Sequence, residues 1–80
     1  MGNPPGWAER EAALERDFQF GSFAEAMAFV NGLAELAERE NHHPDITIRF
    51  SLVTVRWSTH TAGTVTDRDR QLAALTNELG

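Results

Sequence analysis

The spacing of apolar residues changes period twice along this chain, and that limits its possible folds more than any other feature. At Ser22 the pattern turns helical. Ser22 and Glu25 are spaced as a capping box, in which two side chains satisfy the unpaired N–H groups of a helix start. Residues 23–40 then run without a proline, which as an α-helix spans about 27 Å. The run meets Asn41-His42-His43-Pro44. Asparagine accepts a left-handed cap and proline cannot continue the ladder, so these residues form a competent helix stop. On both sides of the helix the period is two. Leu14, Arg16, Phe18 and Phe20 alternate with Glu15, Asp17 and Gln19. Ile46, Ile48 and Phe50 alternate with Thr47 and Arg49, and Val53, Val55 and Trp57 with Thr54, Arg56 and Ser58. Alternation of this kind marks half-buried strands.

These readings predict strands over 7–11 and 14–20 turning at Ala12-Ala13, then the helix, then two strands joined near Ser51-Leu52. Thr66 caps a closing helix with Asp69 at its third position and Leu72, Leu75 and Leu79 on its inner face. The order is ββαββα. Hairpins with segregated helices give an α+β fold, a four-stranded antiparallel sheet with helices packed on one face. The 80 residues are expected to form a single domain, 1–80, with 1–6 a flexible Gly/Pro lead-in.

On the long helix, Leu36, Phe29, Leu33, Ala26, Ala37, Val30, Phe23, Ala34 and Met27 share one arc, broken only by Glu40. The arc covers about half the circumference, wider than the roughly 100° stripe that one sheet needs. Two readings stay open. Part of the arc, with Phe29 and Leu36 on its outer flank, packs on another subunit, or the helix is sunk deep between sheet and loops. A chain this short buries only about 60% of its unfolded surface, so association would supplement a small core. Glu38 falls at the polar edge of the arc, where it can lean over the sheet.

Composition excludes several classes. A formal charge of −5 lacks the basic footprint of a nucleic-acid binder. With no cysteine, disulfides and thiolate metal sites are impossible. No apolar run approaches a membrane span, and the first residues lack the basic and apolar regions of a signal peptide.

All three histidines stand at element ends: His42 and His43 after the helix, and His60 18 residues beyond His42 after the last strand. Histidine both gives and takes a proton near neutral pH, its unperturbed pKa being about 6.5. Concentrating the whole supply in two places points to proton transfer, while a plain helix stop explains His42-His43 equally well. Clustered imidazoles and a neighbouring carboxylate act oppositely on one another's protonation, so such a set can hold an acid and a base together. Asp69 reads first as a first-turn carboxylate satisfying helix N–H groups. A metal centre is disfavoured, because adjacent histidines do not readily face one ion and no HExxH spacing exists.

The spaced set Glu38, His42-His43-Pro44, Phe50, His60 and Asp69 resembles the signature of the pterin-4a-carbinolamine dehydratases, also called dimerisation cofactor of a homeodomain transcription factor. Gly6-Trp7, Phe23-Ala24-Glu25-Ala26, Ser58-Thr59-His60 and Thr66-Asp67-Arg68-Asp69 extend the likeness over nearly everything from Gly6 onward. The resemblance implies dehydration of a 4a-hydroxytetrahydropterin to the quinonoid dihydropterin, with no metal or organic cofactor. This recycles the pterin used by aromatic amino acid hydroxylases. It implies that His42 and His60 are the proton-transfer pair, that His43 holds the substrate and assists departure, and that Glu38 orients and polarises a histidine. His42, His43, Pro44, Thr59, His60, Thr61 and Ala62 would line the pterin, with Asp69 in support. It further implies a cytoplasmic homodimer or homotetramer. The alternative is a non-catalytic protein-binding module, either a transcription-factor dimerisation cofactor or an assembly factor for carbon-fixing enzymes. Two departures stand out. The family's usual helix before the Gly-Trp has no counterpart in the few residues ahead of Gly6, and Ile46 replaces an aromatic common in relatives, so a stacking contact to the pterin is expected to be missing there.

Overall fold

In the computed structural model, which describes residues 2–80, the changes of period become changes of element. The order is β1 (Ala8–Arg10), β2 (Ala13–Gln19), α1 (Phe23–Glu40), β3 (Asp45–Arg49), β4 (Leu52–Trp57) and α2 (Asp67–Leu79). This is the expected ββαββα arrangement. The strands form one antiparallel sheet in the order β1-β2-β4-β3. A central strand should alternate most sharply, and β4 does: Val53, Val55 and Trp57 are fully buried while Thr54 and Arg56 are half-exposed.

Leu14 and Phe18 of β2 join those residues on one face, which α1 covers with Ala26, Phe29, Leu33, Leu36 and Ala37 and α2 with Leu72 and Ala73. Leu14, Leu33 and Leu72 have no exposed surface, and truncating any of them to alanine would cost about 2–5 kcal/mol. The opposite face is held by polar pairs between directly opposed residues. Arg56 Nη1 donates to Glu15 Oε1 at 2.6 Å and Thr54 Oγ1 to Asp17 Oδ1 at 2.7 Å.

Several expectations are corrected. The first turn centres on Glu11 and Ala12, not Ala12-Ala13, since Arg10 pairs with Ala13. Both turn residues have positive φ, 46° and 63°, the conformation that matches strand twist in a two-residue hairpin and normally selects Asn-Gly. In the second hairpin Arg49 pairs with Leu52. Phe50 therefore leaves the strand for the turn, with φ 54° and 73% exposure. On α1, Phe29 and Leu36 are core residues. The open flank is instead Phe23, Met27, Val30 and Ala34, which are half-buried or exposed. On α2, Leu75 and Leu79 stay outside the buried core, 37% and 43% exposed. Thr76 takes the inner position, donating to the Leu72 carbonyl while accepting the Trp57 indole N–H at 3.0 Å.

The lead-in meets the closing helix. The Pro5 carbonyl accepts from Asn77 Nδ2 at 3.1 Å and the Trp7 indole N–H donates to Asn77 Oδ1 at 2.7 Å. Met1 lies outside the described residues. No helix among the described residues is long and apolar enough to cross a membrane.

Candidate active site

The helix stop builds one wall of a cleft. Asn41 takes the left-handed conformation (φ 50°, ψ 44°). Its N–H reaches the Glu38 carbonyl at 3.3 Å and the His42 N–H reaches Ala37 at 3.1 Å. This pair of bonds is a Schellman motif, which satisfies carbonyls that a helix end leaves open. The chain is thereby reversed within two residues, and His42 and His43 are delivered beside the end of β4. Arg68 at the start of α2 secures the same corner, donating to the Glu40 carbonyl at 3.0 Å and to its carboxylate at 2.8 Å. That hydrogen bond holds the Glu40 carboxyl below the usual carboxylate range.

The opposite wall is the end of β4 and the loop after it. Thr59 and Thr64 pair across the loop, and the Thr59 carbonyl also accepts the N–H groups of Ala62 and Gly63. His60 and Thr61 are carried at its exposed tip. Asn41, His42, His43, Ser58, Thr59, His60 and Thr61 together line an open cleft of about 230 Å³.

The three histidines thus converge, as does Thr59 with Thr61. Pro44 and Ala62, expected among the lining residues, stand outside it, and Glu38 reaches the site only through His43. Two lining residues were not among the expected site residues: Asn41, counted as a helix cap, and Ser58, counted as an outward strand position and as part of the family likeness. Adjacency to the histidines was the available signal for both.

The histidines differ in surroundings. His42 keeps 18% of its side chain exposed and stacks on Trp57, ring centres 5.8 Å apart and planes 25° from parallel. Its Nε2 donates to the Ser58 carbonyl at 3.1 Å and to Asp69 Oδ1 at 2.8 Å. Asp69 has no exposed surface. Its other oxygen accepts from Thr59 Oγ1 at 2.7 Å and from the Thr66 N–H at 2.8 Å. Burial alone would raise the Asp69 carboxyl, but hydrogen bonds from Thr59, the Thr66 backbone and His42 outweigh it and hold the group below the ordinary aspartate range. The first-turn role read from sequence is therefore real and only half of what Asp69 does. His43 instead pairs at 2.6 Å with Glu38, and their side chains are 57% and 78% exposed. An arrangement of this kind offers several imidazole nitrogens to one small ligand, with a buried anion behind one ring and solvent around the others.

Comparison with known proteins agrees with this architecture. The family model described as pterin 4 alpha carbinolamine dehydratase matches residues 1–79. A Thermomicrobium roseum protein provisionally named pterin-4-alpha-carbinolamine dehydratase is 53% identical over 75 residues, covering 94% of this chain and 81% of that protein. Among solved structures, a transcriptional coactivator/pterin dehydratase from Brucella melitensis superposes with a TM-score of 0.89 at 31% identity, over 94% of this chain and 82% of the other. A pterin dehydratase-like protein identified as a RuBisCO assembly factor in the alpha-carboxysome gives 0.79 at 30% identity, over 92% and 88%. With its fold, its histidine cleft and a family match over nearly its whole length, the chain belongs to the pterin-4-alpha-carbinolamine dehydratase family.

Proposed function

We propose that the protein dehydrates a 4a-hydroxytetrahydropterin to the quinonoid dihydropterin by histidine general acid–base catalysis. The observation that carries this reading is the convergence of His42, His43 and His60 on one cleft from two walls far apart in sequence. The reaction breaks the C4a–O bond, releases the hydroxyl as water after it gains a proton, and forms a C4a–N5 double bond as N5 loses its proton. A well-placed group accelerates each proton transfer by roughly 10²–10⁴-fold. His42 and His60 serve as the proton-transfer pair, His43 holds the pterin and assists departure of the hydroxyl, and Glu38 orients His43. Neither metal nor organic cofactor enters this scheme. It fits a cytoplasmic enzyme recycling pterin for aromatic amino acid hydroxylases. In the test, purified protein is mixed with 4a-hydroxytetrahydropterin in a stopped-flow spectrometer. Formation of quinonoid dihydropterin faster than the spontaneous rate supports the proposal, and an unchanged rate rejects it.

The open flank of α1 favours self-association as well. Phe23, Met27, Val30 and Ala34 recur at helical spacing, and Phe23 is 51% exposed, so a second copy could bury this stripe. Val30→Glu should dissociate a homodimer or homotetramer, as seen by sedimentation. A wild-type species of 8.9 kDa alone at micromolar concentration would refute association. A binding-module role without catalysis would use the same stripe; an intact oligomer with no turnover would support that alternative.

A further inference from the structure

Among the described residues, the His42 ring makes both of its hydrogen bonds through one nitrogen. Nε2 lies 3.1 Å from the Ser58 carbonyl oxygen and 2.8 Å from Asp69 Oδ1. A carbonyl oxygen only accepts, and so does an ionised carboxylate. Nε2 therefore carries a hydrogen whether the ring is neutral or charged. Among the described residues no group bonds Nδ1, while the ring itself lines the cleft.

Asp69 has no freedom to present anything else. Its Oδ2 is committed to Thr59 Oγ1 at 2.7 Å, the Thr66 N–H at 2.8 Å and Thr66 Oγ1 at 3.3 Å, which sets the carboxylate plane and directs Oδ1 at His42. Trp57 supports the imidazole face, and its own indole is fixed by Thr76. The network joins the end of α1, the end of β4 and the start of α2 behind one imidazole ring.

We infer that Asp69 is a positioning residue that holds His42 in its Nε2–H tautomer, leaving Nδ1 as the atom that exchanges a proton with the substrate. The tautomer stands on the geometry alone; the exchange with substrate rests on the dehydratase reading. In a catalytic triad, likewise, a buried aspartate selects the tautomer of its histidine and the asparagine variant reverses it. At position 69 an asparagine would keep its carbonyl oxygen on the Thr59 and Thr66 donors. Its amide N–H would then face Nε2. Two donors cannot share that contact, which leaves the longer 3.1 Å contact to the Ser58 carbonyl as the one acceptor favouring Nε2–H and shifts the neutral ring toward Nδ1–H.

The test combines long-range ¹H–¹⁵N spectra of the histidine rings with steady-state kinetics on the full chain. Neutral wild-type His42 should show a protonated Nε2 and a bare Nδ1. Asp69→Asn should invert that pattern and lower kcat at least about tenfold, with KM changed by less than about threefold because the cleft lining is unaltered. Val53→Ala is the control: it removes buried methyl groups at the end of β4 away from the cleft, so it should lower thermal stability and leave tautomer and kcat near wild type. A wild-type ring protonated on Nδ1 overturns the inference, even if Asp69→Asn fails to fold. So does an inverted tautomer with kcat intact. The dehydratase reading fails separately: a wild type with Nε2–H and no turnover sinks that reading and leaves the Asp69–His42 tautomer standing.

Discussion

His42 and His43 adjoin in sequence, each faces a carboxylate, and the two pairs live in different physical settings. His43 and Glu38 meet in solvent at the rim of the cleft. Their attraction is diluted by water and salt, and an exposed pair of this kind contributes about 0–1 kcal/mol. His42 meets Asp69 beneath the cleft floor, where the carboxylate is wholly buried and every oxygen has a partner. There the interaction is strong in gross terms and expensive to break, because a lone buried acceptor has no water to turn to. One helix stop thus supplies two imidazoles in different settings, one bonded to a buried carboxylate and one paired in solvent.

The largest expected effect separates His42 from the exposed histidine across the cleft. His42→Ala and His60→Ala should each lower dehydration at least about tenfold. Only His42→Ala should also cost about 1–3 kcal/mol of stability, since it strips Asp69 of a partner. His60→Ala, at an exposed loop tip, should stay within about 0.5 kcal/mol. Equal stability losses in chemical denaturation would erase the contrast between buried and exposed rings.

Acid titration sharpens the same comparison. The folded carboxyl of Asp69 lies below its unfolded value, so its contribution is fully present above about pH 4 and is lost as pH falls through the folded pKa. Urea midpoints should therefore fall less steeply below pH 4 in Asp69→Asn than in wild type. Glu38→Gln should keep the wild-type slope. Matching slopes in wild type and Asp69→Asn would mean the buried carboxylate is not held by its hydrogen bonds.

The smallest effect belongs to the rim. Glu38→Gln should change stability by less than about 0.5 kcal/mol, and any difference from wild type should shrink as salt rises toward 1 M, where screening acts within about 3 Å. A loss above about 2 kcal/mol that survives high salt would show that the exposed pair behaves like the buried one.

How much of this was legible in sequence depended on the range of the cause. The limits of α1 were readable because the Ser22–Glu25 start and the Asn41 stop act within a few residues. The turns were misplaced because Glu11, Ala12 and Phe50 carry none of the usual left-handed preference; strand pairing imposes the conformation on them. The apolar arc of α1 was visible, yet a wheel with two apolar flanks does not say which meets the sheet. Helix docking decides that, and it buried Phe29 and Leu36 while leaving Phe23 and Val30 partly open. The histidine cluster was legible through spacing and resemblance. The bond between His42 and Asp69 was not, because the residues lie 27 apart and a first-turn carboxylate already had a sufficient local explanation.

The most direct measurement is a double-variant cycle on His42 and His60 in the stopped-flow dehydration assay, with rates expressed per folded molecule. If the two rings act as one proton-transfer unit, removing both should lose much less than the product of the single losses. Single variants that dehydrate 4a-hydroxytetrahydropterin as fast as wild type, while His42→Ala loses several kcal/mol of stability, would contradict the account and leave the histidines as helix-stop and packing residues.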